Sequence, residues 1–445
     1  MFETGHRERV RKAGERAILV GAAFPGDPDS AEEPLAELSG LARTAGAVAV
    51  ARLVQKRDRP DASTFYGRGK AAEVAALAAE LSADLVITDE DLSPAQLRNL
   101  ERIVGTRVVD RTELILDIFA LHARSHEARL QVELAQAEYL LPRLRRMWTH
   151  LSREGGTGQS SGVGTRGPGE KQLEIDRRLL RNRVAELRRE LEAIGRRRKR
   201  MAEAREEYFK VSLVGYTNGG KSTLLRRLTG AEALVEDQLF STLDTQTRAW
   251  ALPGGKRVFL SDTVGFLRDL PHHLVASFHA TLEEVRSADL LLHVADASHP
   301  DVRMQIEAVE GVLEELGADR TPRILVLNKS DLVRDPVLLH ASGGARRPVC
   351  AISALYGGPG TDELGEEVER IIAERQSEVD CRLPAGAGRL LAFLAERGTV
   401  LERRYADGQI RLRVRLGPAD RARARRMAAE AGAVISGGDG GSSPE

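Results

Sequence analysis

One stretch, Val211–Thr223 (VSLVGYTNGGKST), narrows the fold more than any other: an apolar strand runs straight into GxxxxGKS and then into a helix-compatible run. A loop that wraps a phosphate chain must aim successive backbone N–H groups inward, and glycine permits both the backbone angles and the close approach. Gly215 and Gly220 stand where those demands fall, with Tyr216, Thr217, Asn218 and Gly219 between them. Lys221 supplies a point charge for the β- and γ-phosphates, and the Ser222 hydroxyl can ligate magnesium. The helix that follows turns its positive end toward the anion.

Such a loop does not choose among nucleotides; three later segments do. RVFLSDTVGF (Arg257–Phe266) is an apolar strand ending in Asp262, with Thr263, Val264 and Gly265 completing DxxG. Asp262 can organise magnesium through water, and the Gly265 N–H can meet the γ-phosphate. RILVLNKSDL (Arg323–Leu332) places Asn328, Lys329, Ser330 and Asp331 after another apolar strand. The Asp331 carboxylate can accept two hydrogen bonds from guanine N1 and N2, a donor pair that adenine lacks. Asn328 reaches N7 and the Lys329 stem covers the base plane. Ser353, Ala354 and Leu355 follow the apolar Val349–Ile352 and bring backbone N–H groups to the guanine O6. Each segment falls at the carboxyl end of an expected strand, where open α/β sheets bind ligands.

A switch belongs between the phosphate-loop helix and Asp262. FSTLDT (Phe240–Thr245) offers Phe240, Ser241, Thr242, Leu243 and Asp244 to the nucleotide, with Thr242 as the magnesium ligand in the triphosphate state and Thr245 and Thr247 as alternatives. Lys221, Thr242 and Gly265 carry the expected hydrolytic chemistry. Phe266 stands where many Ras-like GTPases place glutamine, and phenylalanine cannot orient water, so intrinsic hydrolysis is expected to be weak until a partner orders the switch.

The 445 residues favour several domains, since single cores stop growing near ~250–300 residues. Residues 1–16 read as a flexible tail. Residues 17–120 alternate apolar runs with helical stretches, a parallel α/β domain, and Ala17–Phe24 reads as its buried first strand, not as a leader. Residues 121–207 carry two apolar stripes, Leu130 to Trp148 and Leu173 to Ile194, at helical spacing. GGTGQSSGVGTRGPG (Gly155–Gly169) between them cannot hold a helix, so an antiparallel helical hairpin with a glycine-rich tip is expected. Pro142 should kink or interrupt its first helix. Residues 208–376 are the Ras-like G domain. Residues 377–445 form a small α+β domain with a hairpin at Asp407-Gly408 and a disordered end.

No apolar run approaches the ~20 residues of a membrane span. Two cysteines, Cys350 and Cys381, offer neither a disulfide framework nor a zinc cluster, which fits a cytoplasmic protein. Formal net charge is zero, so nucleic-acid binding must rest on local patches.

These segments resemble the HflX family of translational GTPases over nearly the whole chain. The likeness rests on GYTNGGKST, DQLFSTLDTQTR, DTVGF, ADLLLHVADASHP and NKSDL, and equally on FYGRGKAAEV (Phe65–Val74), LQVELAQAEYLLPRL (Leu130–Leu144) and GVGTRGPGEKQLEIDRR (Gly162–Arg178). It implies a monomeric enzyme that binds GTP and GDP, uses Mg2+, and acts on the large ribosomal subunit to split or rescue stalled or idle ribosomes. The hairpin tip would then approach the ribosomal RNA of the peptidyl transferase centre. Arg166, with Arg143, Arg145, Arg146, Lys171, Arg177 and Arg178 around it, could track RNA phosphates, as the resemblance implies, or form a solvated charged face of the hairpin, which the residues alone favour. Similarity to potassium-activated GTPases makes Asn218 a K+ ligand or an ordinary loop amide. Gly219 replaces the family's usual alanine, and Thr245 its usual proline after the switch aspartate. Two other readings stay open: an ATP-using remodelling enzyme, and a ribosome- or RNA-binding factor whose nucleotide only locks a conformation.

Overall fold

Four short apolar runs make the first sheet of the computed structural model, which describes residues 14–25, 35–147, 168–203, 208–230, 240, 246–267, 279–333, 348–406 and 408–437. Strands β1 (Arg16–Ala23), β2 (Val48–Lys56), β3 (Leu85–Thr88) and β4 (Arg107–Val109) are all parallel, in the order β2-β1-β3-β4. Helices α1 (Ala36–Thr44), α2 (Arg68–Glu80) and α3 (Pro94–Val104) alternate with them, and Ile18, Val20, Val86 and Val108 form part of the core. Ser93 caps α3 reciprocally with Gln96, and Pro94 occupies the first turn, where its missing N–H costs nothing. Helix α4 (Arg111–His122) buries Leu114, Ile115, Leu116, Ile118 and Phe119. Burial on so many sides leaves no amphipathic period, so the sequence of this helix carries no periodic signal.

The two long helices of the hairpin are α5 (His126–Met147) and α6 (Pro168–Glu203). Leu130, Leu134 and Ala137 pack with Val184 and Leu187, so the two apolar stripes do meet. Arg183 reinforces the seam with a bidentate contact to Glu133 at 2.7 and 3.0 Å. Of the two outcomes expected at Pro142, a kink or an interruption, the interruption does not occur: the helix continues to Met147.

The third region is a six-stranded sheet in the order β10-β9-β8-β5-β7-β6. Its strands are β5 (Lys210–Val214), β6 (Gln246–Ala251), β7 (Arg257–Asp262), β8 (Leu290–Asp296), β9 (Arg323–Asn328) and β10 (Val349–Ala351). All neighbours run parallel except β6, which lies antiparallel along the β7 edge. Helices α7 (Lys221–Thr229), α8 (His279–Arg286), α9 (Val302–Glu315) and α10 (Pro359–Glu374) follow in turn. Val211, Leu213, Leu224, Leu260, Leu292 and Val326 lie in its core.

The last region runs β11 (Ser377–Pro384), α11 (Gly388–Arg397), β12 (Thr399–Ala406), β13 (Gln409–Leu416), α12 (Pro418–Ala431) and β14 (Val434–Ser436). Sheet order is β12-β13-β11-β14, antiparallel throughout, so each helix joins two strands that straddle a third. This is a split β-α-β arrangement used twice. Strict alternation on β11 and β13 buries Val379, Cys381, Leu383, Leu412 and Val414 under Leu390, Leu394 and Ala424 of the helices. Among the described residues, no apolar side chain covers the opposite face of the sheet.

The chain is therefore a multidomain α/β protein with two parallel-sheet regions, a helical hairpin and an α+β region at its C-terminal end. By contact it separates into two compact units. Among the described residues, the first runs to Gly195 and takes in Phe240 and residues 264–267 and 279–283; the second holds most of residues 208–437. No helix among the described residues is long and apolar enough to cross a membrane.

Candidate functional site

The β5 strand delivers the chain to Gly215 at φ 149°, and a Cβ there would stand 2.1 Å from the Val294 carbonyl oxygen. No side chain fits that approach, so the first glycine is required by packing against β8. Gly220 opens α7 at φ 91°. Between them Asn218 is exposed in the left-handed region at φ 59°, and Gly219 donates its N–H to the Tyr216 carbonyl at 3.3 Å. The Thr217 Oγ1 is buried and has no hydrogen-bond partner among the described residues.

Lys221 is buried, and its Nζ donates to the carbonyls of Gly215 at 3.0 Å and Tyr216 at 2.8 Å. The ammonium thus crosses the mouth of the loop and is held by backbone dipoles. Burial pushes its pKa down to about 8, against the pull of Asp262. Ser222 Oγ donates to Asp262 Oδ2 at 2.6 Å, which brings the two expected metal-site oxygens into direct contact. Thr263 is fully buried and donates to the Leu213 carbonyl at 2.6 Å, so its hydroxyl ties the end of β7 to β5.

At the base end, Asn328 is buried, and both ends of its carboxamide are engaged. Its Nδ2 donates to the Gly219 carbonyl at 2.9 Å, and its Oδ1 accepts the Ala354 N–H at 2.9 Å. The second Nδ2 hydrogen is left as a donor for a ligand, and that suits an acceptor such as N7. The Lys329 backbone takes φ 59°, and its Nζ meets Asp296 Oδ2 at 2.6 Å. Ser330 N–H donates to the Ile352 carbonyl at 3.0 Å, joining the NKSD turn to the strand that leads into Ser353. Ser353 Oγ accepts the Tyr356 N–H at 3.3 Å, while Leu355 is exposed. Asp331 is exposed as well, so any selectivity it confers arises only once a base covers it.

Three residues were not singled out for roles in the sequence. Asp296 anchors Lys329, and Val294 sets the ceiling above Gly215. Arg227, on α7, donates through Nε to the Ala354 carbonyl at 3.2 Å and through Nη2 to that of Leu355. A basic residue two turns after a phosphate loop carries no motif signal, and Asp296 was visible only inside ADLLLHVADASHP.

The switch expectations divide. Ser241, Thr242, Leu243, Asp244 and Thr245 lie outside the described residues. Thr247 hydrogen-bonds Ser261 at 3.0 Å across the β6–β7 pair, which accounts for its hydroxyl. Phe240 is buried, with its ring in an edge contact 4.6 Å from that of Phe119. That ring is committed to packing, and only its backbone is left for a nucleotide. Val264 and Phe266 are buried too.

Of the basic residues expected to track RNA, Arg143 is spoken for. Its Nη2 reaches Asp110 Oδ2 at 2.9 Å and the Leu92 carbonyl at 3.0 Å, and its guanidinium lies 3.4 Å over the Tyr139 ring. Asp110 is fully buried, its carboxyl pushed up to about 6. Arg143 is therefore a brace for the first unit and not a free phosphate contact. Arg178 is exposed, and Arg166 lies outside the described residues.

Three family models match in series: GTP-binding GTPase N-terminal over residues 32–120, GTP-binding GTPase Middle Region over 122–205, and 50S ribosome-binding GTPase over 210–329. The chain is 46% identical to the GTPase HflX of Caldanaerobacter subterraneus, covering 90% of each chain. It is 44% identical to the GTPase HflX of Escherichia coli, over 91% of this chain and 94% of that one. With the GTPase HflX of Alkalihalophilus pseudofirmus the identity is 51%, over 72% and 75%.

Proposed function

The chain belongs to the HflX family of GTPases, and from that membership we propose that it spends GTP on the large ribosomal subunit to separate stalled or idle ribosomes. That it binds and hydrolyses GTP follows from the family itself. The observation that carries the residue-level reading is the Asn328 carboxamide, which spans from the phosphate loop to the Ser353–Leu355 turn. It holds the two halves of the site at one spacing, so phosphates and base are read by a single rigid frame.

In that frame Lys221 leaves the Gly215 and Tyr216 carbonyls for the β- and γ-phosphate oxygens, and the phosphate-loop N–H groups surround them. The Asp331 carboxylate takes the two guanine donors and Asn328 gives its second Nδ2 hydrogen to N7; with the Ala354 N–H held by Asn328 Oδ1, the Leu355 N–H is the backbone donor for O6. The Ser222 and Asp262 oxygens, 2.6 Å apart, are the hard donor set that Mg2+ prefers, so the residues present fit that ion. Ser222 would hold it directly, with Thr242 in the triphosphate state. An ion held by these oxygens would supply neutralisation of the charge on the phosphate oxygens. Asn218, exposed at the rim of the loop, would offer its carboxamide oxygen to K+. Gly265 would present its N–H to the γ-phosphate, and Phe266 leaves the attacking water without a side-chain partner. Hydrolysis is then slow until the ribosome orders the switch.

The hairpin is the probe in this scheme. Sedimentation with ribosomes and a non-hydrolysable GTP analogue, comparing the full chain with one lacking residues 155–169, tests it. The full chain should pellet and the deletion should lose at least tenfold in affinity; equal association of both would sink the probe role.

A further inference from the structure

The last sheet has one face buried under α11 and α12 and the other open, and the open face of its two central strands, β11 and β13, carries rows of charged residues, while the β14 edge adds Val434 and Ser436. Residues 377–437 hold twelve arginines and seven acidic residues, so a locally positive domain sits within a chain of zero net charge. Strand register sorts the open-face side chains into rows. Arg415 lies opposite Glu378 and bonds it at 2.7 Å; Arg413 lies opposite Asp380 and bonds it at 3.1 Å. Those two rows are internally neutralised.

The third row is not. Arg411 pairs in register with Arg382 on one side and Arg404 on the other, three arginines across three neighbouring strands. Like charges directly opposite destabilise a sheet, and at ~4.8 Å between strands three guanidinium stems crowd within ~10 Å. Arg404 leans on Glu402. Arg382 and Arg411 are both exposed, and neither has an ion pair or hydrogen bond among the described residues. A threonine or glutamate at Arg411 would remove the repulsion, so the row works against folding and calls for an external anion.

The chemistry of the face selects the partner. Protein interfaces exclude charge from their centres and anchor on aromatic residues. Here the two central strands present Arg411, Arg413, Arg415, Glu378, Asp380 and Arg382, with no aromatic among them. Open four-stranded sheets that read single-stranded RNA stack bases on aromatics at their central strands, and that mode is unavailable too. What remains is a flat face with a line of forked donors, matched to successive phosphates of a folded RNA backbone. We propose that the Arg382–Arg411–Arg404 row is a second RNA contact of this chain, taking backbone phosphates of double-helical RNA. It is independent of the nucleotide site and of the hairpin tip.

The test uses the full chain without nucleotide. Cys350 and Cys381 are both buried, so a Val434→Cys change, in register with Arg382 at an exposed site, gives one accessible thiol for a photo-crosslinker. The probe is an A-form RNA duplex of about 20 base pairs, with a single strand of equal length as comparison. The duplex should cross-link in preference to the single strand. Arg382→Glu with Arg411→Glu should cut the yield at least tenfold and flatten the log–log salt dependence of binding by about 2. Arg382→Lys with Arg411→Lys should retain most of the yield. Arg382→Gln with Arg411→Gln gives the same reading if the reversed pair does not fold, as judged by its melting curve. Full cross-linking in the reversed or glutamine pair would overturn the proposal. So would displacement by polyglutamate as effective as by duplex RNA, which would mark an acidic protein as the partner.

Discussion

At the phosphate end of the site, Lys221 is buried and already bonded to two carbonyls, and Gly215 is locked beneath the Val294 carbonyl. At the base end, Asp331 and Leu355 are exposed, and Lys329 is tethered sideways to Asp296. The first end is shaped in advance by the strands beneath it. The second is a set of turns stitched together by Asn328 and Arg227 and finished only by the ligand. Binding strength should therefore come from the first and discrimination from the second, because discrimination needs groups whose partners differ between right and wrong base.

The largest effect should follow from filling the space above the first end. Gly215→Ala places a methyl 2.1 Å from the Val294 carbonyl, at a φ of 149° that L side chains rarely adopt. A clash with backbone in a packed core costs on the order of 1–3 kcal/mol or more. Nucleotide binding should be lost beyond detection by calorimetry, with a lowered melting midpoint. Near-normal GTP affinity would mean that the loop is far softer than its packing implies.

Next comes the exposed carboxylate. Asp331→Asn replaces an acceptor pair with one acceptor and one donor, so it should disfavour guanine and favour xanthine. The GTP-to-XTP preference should move by about a hundredfold or more, since sites built on hydrogen bonds reject mismatched partners by large factors. Stability should hardly move, because Asp331 is exposed. An unchanged GTP preference would take the base end away from NKSD.

Lys221 separates the two ends by pH. Its pKa is about 8 in the free protein, held down first by burial, and phosphates would raise it. Affinity for GTP should thus fall as pH rises above about 8, by up to tenfold per unit, with proton uptake on binding visible in buffers of different ionisation enthalpy. Stability of the free protein should move the other way. The unfolded chain binds the extra proton between about 8 and the ordinary lysine value of 10.5, so stability from this group rises with pH in that window. Affinity measured from pH 7 to just below 9 and melting curves over the same range check both signs; parallel trends would refute the assignment.

What the sequence disclosed follows the same division. Gly215, Lys221 and Ser222 could be proposed from sequence because phosphate chemistry demands particular residue types at fixed spacing along one strand–loop–helix, and Asp262 because it ends an apolar strand ahead of a glycine. The ties that complete the base end run between residues far apart in the chain: Asp296 to Lys329, Arg227 to Ala354, Asn328 to Gly219. No local pattern announces them. The same holds for the fold. Strands β3 and β4 are plain apolar runs, whereas α4 is buried on too many sides to show a period; β11 takes its place by pairing with β13, and β14 by pairing with β11. Arg143 looked like a phosphate contact because charge is visible in sequence and a buried partner such as Asp110 is not.

The smallest predicted effect is the most discriminating about rigidity. Gly219 is not in the left-handed region, so alanine can adopt its backbone, and the added Cβ would lie 3.2 Å from the Val294 carbonyl and 3.3 Å from that of Tyr216. Those contacts are tight but need only a few tenths of an ångström of relief. Against that cost, alanine loses less chain entropy on ordering than glycine, a gain of about 0.4–1 kcal/mol. The two should nearly cancel in stability, within about 0.5 kcal/mol. GTP affinity should rise slightly, up to about threefold, because a stiffer loop has less freedom to lose on closing round the phosphates. Gly219→Ala measured by melting and by calorimetry decides it. A loss of affinity greater than about tenfold would mean that the Val294 carbonyl cannot yield, and that the rigid frame held by Asn328 extends through Gly219 into β8.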